Sequence, residues 1–127
     1  KLYLRVSDLV VPNLQPMVSP DAAIKDVIVE ITKKRLGAAA VVNENKEIVG
    51  VITDGDLRRM LEKNDSVAVL KAKDIMTTSP RQITSEALAV EALELMKNNN
   101  INQLLVSENG RYVGIVHIQD LIREGII

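Results

Sequence analysis

The sequence predicts a mixed α/β (α+β) fold in which two β-α-β-β-α repeats pack as a pseudo-two-fold pair. The chain has 127 residues, of which 46% are hydrophobic, enough for one packed domain or for two small units sharing a core. The main observation is an internal repeat: Gly50 and Asp56 recur 64 positions later as Gly114 and Asp120. Each copy also combines a helical period with short apolar runs, which is typical of a helix followed by buried strands.

The first repeat begins at Val18. Ser19 is predicted to cap a helix and Pro20 to occupy its first turn, where a missing N–H costs nothing. One face of this helix carries four apolar residues at helical spacing: Ile24, Val27, Ile28 and Ile31. The apolar run 38–42 predicts a buried strand, 43–46 a turn, 48–53 a returning strand, and the segment from Leu57 a second helix.

The second repeat follows the same order of elements. Its first helix carries an equivalent apolar face: Ala89, Ala92, Leu93 and Met96. The pair Asn109-Gly110 predicts a tight hairpin before the returning strand 112–117. Short lead-ins precede the two repeats at 6–9 and 72–76. We therefore divide the chain into 1–63, the first repeat with its lead-in, and 64–127, a connector with the second repeat.

Composition narrows the classes of function. A net charge of −1 and an aromatic content of 2% argue against a nucleic-acid-binding surface. The chain has no cysteine and one histidine, His117, so we expect no metal site and no catalytic triad. No apolar run reaches the roughly 20 residues that span a bilayer, and no signal peptide pattern is present. We expect a cytoplasmic chain without membrane or nucleic-acid partners that is not itself an enzyme.

The repeated pattern hydrophobic-Gly-hydrophobic followed by Asp-Leu resembles the CBS domain, two copies of which form a CBS pair or Bateman module. Segments 4–9, 53–59, 91–96 and 103–106 resemble the C-terminal half of arabinose-5-phosphate isomerases. That resemblance implies a regulatory module whose catalytic sugar isomerase (SIS) domain would precede Lys1 and is absent. It also implies a role in carbohydrate metabolism, because such isomerases supply Kdo, an acid sugar of lipopolysaccharide.

The resemblance implies ligand contacts at the two junctions between strand and helix. In the first repeat, the Thr53 hydroxyl would contact phosphate and the Asp56 carboxylate would accept ribose hydroxyls. The alternative is a helix capping box, because a threonine followed three residues later by an acidic residue is its signature. In the second repeat, His117 and Asp120 hold the equivalent positions. Histidine is a poor N-cap, so we expect a broken capping box there, which favours a ligand role for Asp120.

The resemblance adds other candidates near these junctions. Ala38 and Ala39 begin the first buried strand, where small side chains leave room for a base, although plain helix–sheet packing is the favoured explanation. Asn102 and Gln103 begin the equivalent strand and could read the edge of a base. Arg58 and Arg59 follow on the second helix, where at most one of them is expected to meet a phosphate and a helix-surface arginine is usually solvated. Three further residues could border the second cleft: Thr78, Pro80 and Arg81.

Two hypotheses follow for function. In the first, clefts between the repeats bind a nucleotide or nucleotide sugar, with CMP-Kdo favoured, adenine nucleotides next, and no cofactor required. In the second, the pair is a structural module that forms a homodimer without ligand, through exposed residues such as Ile122, Ile126 and Ile127.

Overall fold

The computed structural model describes residues 3–11, 14–63 and 66–127. The predicted α/β class is confirmed, with two small sheets and surrounding helices. The elements in chain order are α1 Val6–Val10, β1 Met17–Val18, α2 Ile24–Lys34, β2 Ala38–Val42, β3 Ile48–Thr53, α3 Asp54–Lys63, α4 Ala72–Ile75, β4 Thr77–Thr78, β5 Gln82–Thr84, α5 Ala89–Asn99, β6 Gln103–Glu108, β7 Arg111–His117 and α6 Ile118–Arg123. Asn64 and Asp65, the start of the predicted connector, lie outside the described residues.

The chain forms two compact units. The first-repeat unit, Pro16–Pro80, holds a four-stranded sheet in the order β1-β2-β3-β4. The strands β1 and β2 are parallel and joined by α2, whereas β2-β3 and β3-β4 are antiparallel. All five residues of β2 are buried, which explains its unbroken run of alanine and valine.

The second-repeat unit consists of Lys1–Gln15 together with Arg81–Ile127. Its sheet has the order β5-β6-β7, with β5 parallel to β6 and β7 antiparallel to it. The predicted hairpin at Asn109-Gly110 is confirmed. Both residues have positive φ, 53° and 79°, and they connect Glu108 directly to its partner Arg111. This is the geometry of a type I′ turn, which asparagine and glycine tolerate best.

The two lead-in helices are exchanged between the repeats. Helix α1 belongs to the second-repeat unit, and α4 belongs to the first-repeat unit. The contact with a strand glycine comes from α1 in one unit and from the residue after α4 in the other: a Cβ on Gly114 would stand 2.6 Å from Val10 Cγ1, and one on Gly50 would stand 2.5 Å from Met76 Sδ. Each compact unit therefore contains the lead-in of the other repeat, whose apolar residues are buried in its core.

The predicted start of the first helix is wrong. Helix α2 begins at Ile24, and its N-cap is Ala23 in an extended conformation, with φ −68° and ψ 151°. Ser19 instead closes a turn, since its carbonyl accepts the N–H of Ala22 at 3.1 Å. Ala23 stays extended because it pairs with Lys71 in a β-bridge beside α4. That bridge is a tertiary contact, so local capping signals did not reveal it.

The predicted apolar faces of the two long helices are largely confirmed. Ile24, Val27 and Ile31 are buried on α2, whereas Ile28 is exposed. On α5, Ala89, Ala92 and Met96 are buried, and Leu93 is partly buried. Both units therefore have the aliphatic core that a chain almost without aromatic residues requires.

Candidate functional site

The junction between β3 and α3 is closed by a reciprocal capping box. The Thr53 backbone N–H donates to Asp56 Oδ2 at 2.9 Å, and the Asp56 N–H donates to Thr53 Oγ1 at 3.2 Å. The Thr53 hydroxyl also donates to Asp56 Oδ2 at 3.1 Å. The alternative interpretation of this motif, a helix cap, is therefore formed in the structure.

The second oxygen of Asp56 has its own partners. Oδ1 accepts from the Arg59 guanidinium and, at 3.3 Å, from the hydroxyl of Thr77 on β4. Asp56 is buried, and these donors, together with those on Oδ2, compensate the cost of taking its carboxylate out of water. A strand, the start of a helix and a lead-in strand thus converge on one acidic group.

The junction between β7 and α6 repeats this arrangement in the second-repeat unit. The His117 N–H donates to Asp120 Oδ2 at 2.8 Å, and the Gln119 N–H donates to His117 Nδ1 at 3.0 Å. The Arg123 guanidinium pairs with Asp120 Oδ1. The expectation of a broken capping box is wrong, because an unprotonated imidazole nitrogen accepts the N–H as a serine or threonine oxygen would.

The cap also defines the state of His117. Burial lowers the pKa of His117, and the nearby Asp120 carboxylate only partly offsets that effect. A lowered pKa agrees with the hydrogen bond, since Nδ1 can accept the Gln119 N–H only while it carries no proton. The neutral ring therefore carries its hydrogen on Nε2, which is left as a donor at the end of β7.

The predicted strand residues lie directly beside the two junctions. Ala38 is the register partner of Thr53, and Gln103 is the register partner of His117. Ala38 and Ala39 are fully buried, as the packing interpretation requires. Asn102 is exposed, and its carbonyl accepts the N–H of Ile118 at 2.7 Å.

The predicted arginine and lead-in residues lie less centrally. Arg58 is exposed on α3, and Arg59 is the arginine that pairs with Asp56. Thr78 is exposed on β4, where it pairs with Gly50, and its neighbour Thr77 is the residue bonded to Asp56. Pro80 and Arg81 are the residues at which the first-repeat unit ends and the second-repeat unit resumes.

Sequence reasoning chose Arg58 rather than Arg59 for the site and did not assign Arg123 or Thr77 to it. A signal for the arginines was present, because each follows its aspartate by three residues and the two lie 64 positions apart. No comparable signal existed for Thr77, which reaches Asp56 from 21 residues away through the pairing of β3 with β4.

Among residues 3–11, 14–63 and 66–127, no three histidine, cysteine, aspartate or glutamate side chains are grouped as metal ligands. No helix in the same ranges combines the length and apolar character needed to cross a membrane.

The family model for the CBS domain matches the chain twice, over residues 6–63 and 72–126. The chain belongs to the CBS domain family. Each match includes one lead-in helix and one junction with its buried aspartate, so the two sites described above are equivalent positions of a tandem CBS pair. CBS domains are regulatory and non-catalytic modules.

Relatives and solved structures agree with this assignment. The CBS pair is 38% identical over its full length to arabinose 5-phosphate isomerase KdsD of Yersinia pestis, and 36% identical to that of Escherichia coli K12. It spans 39% of the length of each. A CBS domain protein from Pyrobaculum aerophilum, solved as a complex with AMP, is 27% identical with a TM-score of 0.82, covering 93% of this chain and 90% of that one. A CBS-domain protein from Agrobacterium tumefaciens is 22% identical, with a TM-score of 0.81 and coverages of 96% and 93%, and shows the same fold.

Proposed function

We propose that this CBS pair is a regulatory module that binds a ribonucleotide or a nucleotide sugar. The observation that carries the proposal is the duplicated buried carboxylate, Asp56 and Asp120, each at the end of a strand and the start of a helix. A carboxylate accepts two hydrogen bonds and therefore suits the vicinal hydroxyls of ribose. The AMP complex of the Pyrobaculum protein supports a ligand of this class.

We further propose that the pair regulates an arabinose-5-phosphate isomerase. The support is the full-length match of this chain to about two fifths of such isomerases. In that setting CMP-Kdo, the activated end product that the isomerase supplies, is the favoured ligand, and an adenine nucleotide is next. A ligand that binds one arrangement of the pair more tightly would shift its population and thereby bias the attached catalytic domain.

The test is a thermal-shift titration of this chain with CMP-Kdo, CMP, AMP, ATP and arabinose 5-phosphate. A ligand at 100 times its Kd adds about 2.7 kcal/mol of stability, which raises Tm by several degrees in a protein of this size. We expect CMP-Kdo to give such a shift, and Asp56→Ala or Asp120→Ala to reduce it.

Matched variants make this test specific. Each aspartate variant also loses a helix cap, so its ligand-induced shift is measured from its own unliganded Tm. Asp54→Ala is the control, because Asp54 is an exposed carboxylate in the same first turn of α3. A shift that survives both Asp56→Ala and Asp120→Ala would contradict the proposed role of the two carboxylates. A flat response of the folded wild type to the whole panel would refute the proposed ligand class.

A second function, dimerisation, has its own supporting observation. Large apolar side chains are exposed at the helix that follows each junction: Leu61 on α3 is 62% exposed, and Ile122 on α6 and Ile127 after it are 49% and 59% exposed. Ile126, which was also expected to be exposed, is instead partly buried against the core. Exposed aliphatic residues on helices are typical of surfaces that pack against another copy. We therefore propose that α3 and α6 contribute to a homodimer interface.

The oligomeric state tests this second function. Light scattering coupled to size-exclusion chromatography should show a dimer for the wild type and a smaller mass for Leu61→Lys combined with Ile122→Lys. Val29→Lys is the control, because Val29 is comparably exposed but lies on a different helix, α2. A wild type that elutes as a monomer at every concentration would refute the interface.

A further inference from the structure

Each unit contains an ion pair between a buried aspartate and an arginine, and the two oxygens of each aspartate bind different kinds of donor. In Asp56 and in Asp120, Oδ2 accepts the backbone N–H of the last strand residue, whereas Oδ1 accepts the arginine three positions later. The carboxylates are buried, with side-chain exposures of 7% and 5%. Their partners Arg59 and Arg123 are exposed, at 60% and 65%. Oδ2 therefore caps the helix, whereas Oδ1 binds an arginine that reaches solvent and, in Asp56, also accepts the Thr77 hydroxyl at 3.3 Å.

The two oxygens differ in how readily they could change partners. The bonds to Oδ2 are part of the fold, because they cap α3 and α6. The bonds to Oδ1 come from a guanidinium that is more than half exposed and, at Asp56, also from the Thr77 hydroxyl. A guanidinium that reaches solvent can leave the buried oxygen, and a ligand hydroxyl that takes its place keeps the carboxylate hydrogen-bonded. Oδ1 is thus the oxygen that can exchange its partner while the helix cap stays intact.

The position of Arg59 fits such an exchange. Its guanidinium folds back along the first turn of α3, where Nη1 stands 3.4 Å from the place that a Cβ on Gly55 would occupy. Because residue 55 has no side chain, the guanidinium lies against the backbone beside the Asp56 carboxylate. A change of rotamer would release it toward solvent without any movement of the helix.

We propose that Arg59 and Arg123 are exchangeable occupants of the ligand site, and that they select for phosphate. This inference rests on the proposed function. The vicinal hydroxyls of the ligand replace the arginine at Oδ1, and the released guanidinium binds the phosphate of the same ligand. A guanidinium suits this role because its planar fork matches phosphate oxygens with two parallel hydrogen bonds. A nucleoside breaks the ion pair without forming a new one. A nucleotide replaces it with an ion pair between the released guanidinium and its own phosphate.

The inference is tested by calorimetric titration of this chain with matched pairs of ligands: AMP with adenosine, and CMP with cytidine. The variants are Arg59→Gln, Arg123→Gln and the double variant, with Arg59→Lys as the conservative replacement. Lys63→Gln is the control, because it removes one cation from the exposed last turn of α3. Unfolding in urea verifies that each variant is folded.

The decisive quantity is the ratio of nucleotide affinity to nucleoside affinity. We expect the wild type and Lys63→Gln to bind the nucleotide at least about tenfold more tightly than the nucleoside. The double glutamine variant should bring this ratio close to one, with nucleoside affinity unchanged or raised. Arg59→Lys should keep part of the preference, because it keeps the charge but not the fork.

The outcomes separate this inference from the proposed function. Nucleotide binding with the same ratio in the wild type and in the double glutamine variant would overturn the role of the arginines and leave the proposed function standing. A folded wild type that binds no nucleotide would overturn both.

Discussion

Gly114→Ala tests how the lead-in helix α1 packs in the second-repeat unit. The new methyl group would stand 2.6 Å from Val10 Cγ1, about 1 Å inside ordinary carbon-carbon contact. Val10 is buried and β-branched, so its side chain has little freedom to turn away. Gly114 also has a φ of 150°, a conformation that alanine adopts only with strain.

These two effects set the expected magnitude. Overpacking costs about 1–3 kcal/mol and the strained backbone about 1–3 kcal/mol, so Gly114→Ala should lower the free energy of unfolding by about 2–6 kcal/mol. The steric part disappears when Val10 Cγ1 is removed, since Val10 Cβ stands at an ordinary 3.9 Å. In a Val10→Ala background, the same change should therefore cost only about 1–3 kcal/mol.

The assay is urea unfolding of the wild type, the two single variants and the double variant. Gly110→Ala is the matched control. Gly110 has a φ of 79° but no atom within 4 Å of its Cβ position, so its cost should not depend on Val10. An equal cost of Gly114→Ala in both backgrounds would refute the reasoning, because it would mean that Val10 does not lie against β7.

Three further predictions follow from individual side chains. His117 is the only histidine, so one imidazole NMR signal should titrate below the ordinary pKa of about 6.5. The unfolded state then binds more protons below that pH, so stability should be complete above about pH 6.5 and fall as the solution is acidified. His117→Thr should flatten this slope in pH-dependent urea unfolding, and an unchanged slope would contradict it. Met96→Ala in the buried face of α5 should cost about 2–5 kcal/mol in the same assay, and the exposed Glu94→Ala less than about 0.5 kcal/mol. Asn43→Ala should lower the free energy of unfolding by about 1–2 kcal/mol, because Asn43 Oδ1 accepts the N–H groups of Asn45 and Glu47 at 3.0 and 2.9 Å. An unchanged midpoint of urea unfolding would show that this turn needs no side-chain support.

Much of the candidate site could be predicted because its signal is local. The capping motif at Thr53 and Asp56 lies within four residues, and its aspartate recurs 64 positions later as Asp120. The capping role of His117 was mispredicted for a physical reason. Propensity describes how often histidine caps helices, whereas burial at the end of β7 keeps this one neutral and able to accept.

The sequence by itself determined the repeated elements, the apolar faces of α2 and α5, and the tight turn at Asn109-Gly110. These features depend on the spacing of side chains and on backbone preferences within a few residues. The tertiary structure decided the late start of α2, the contact of Thr77 with Asp56, and the placement of α1 on Gly114 and of α4 in the unit of Gly50. Each of these depends on partners far apart in the chain, and local spacing carries no information about which distant surface has room for a helix.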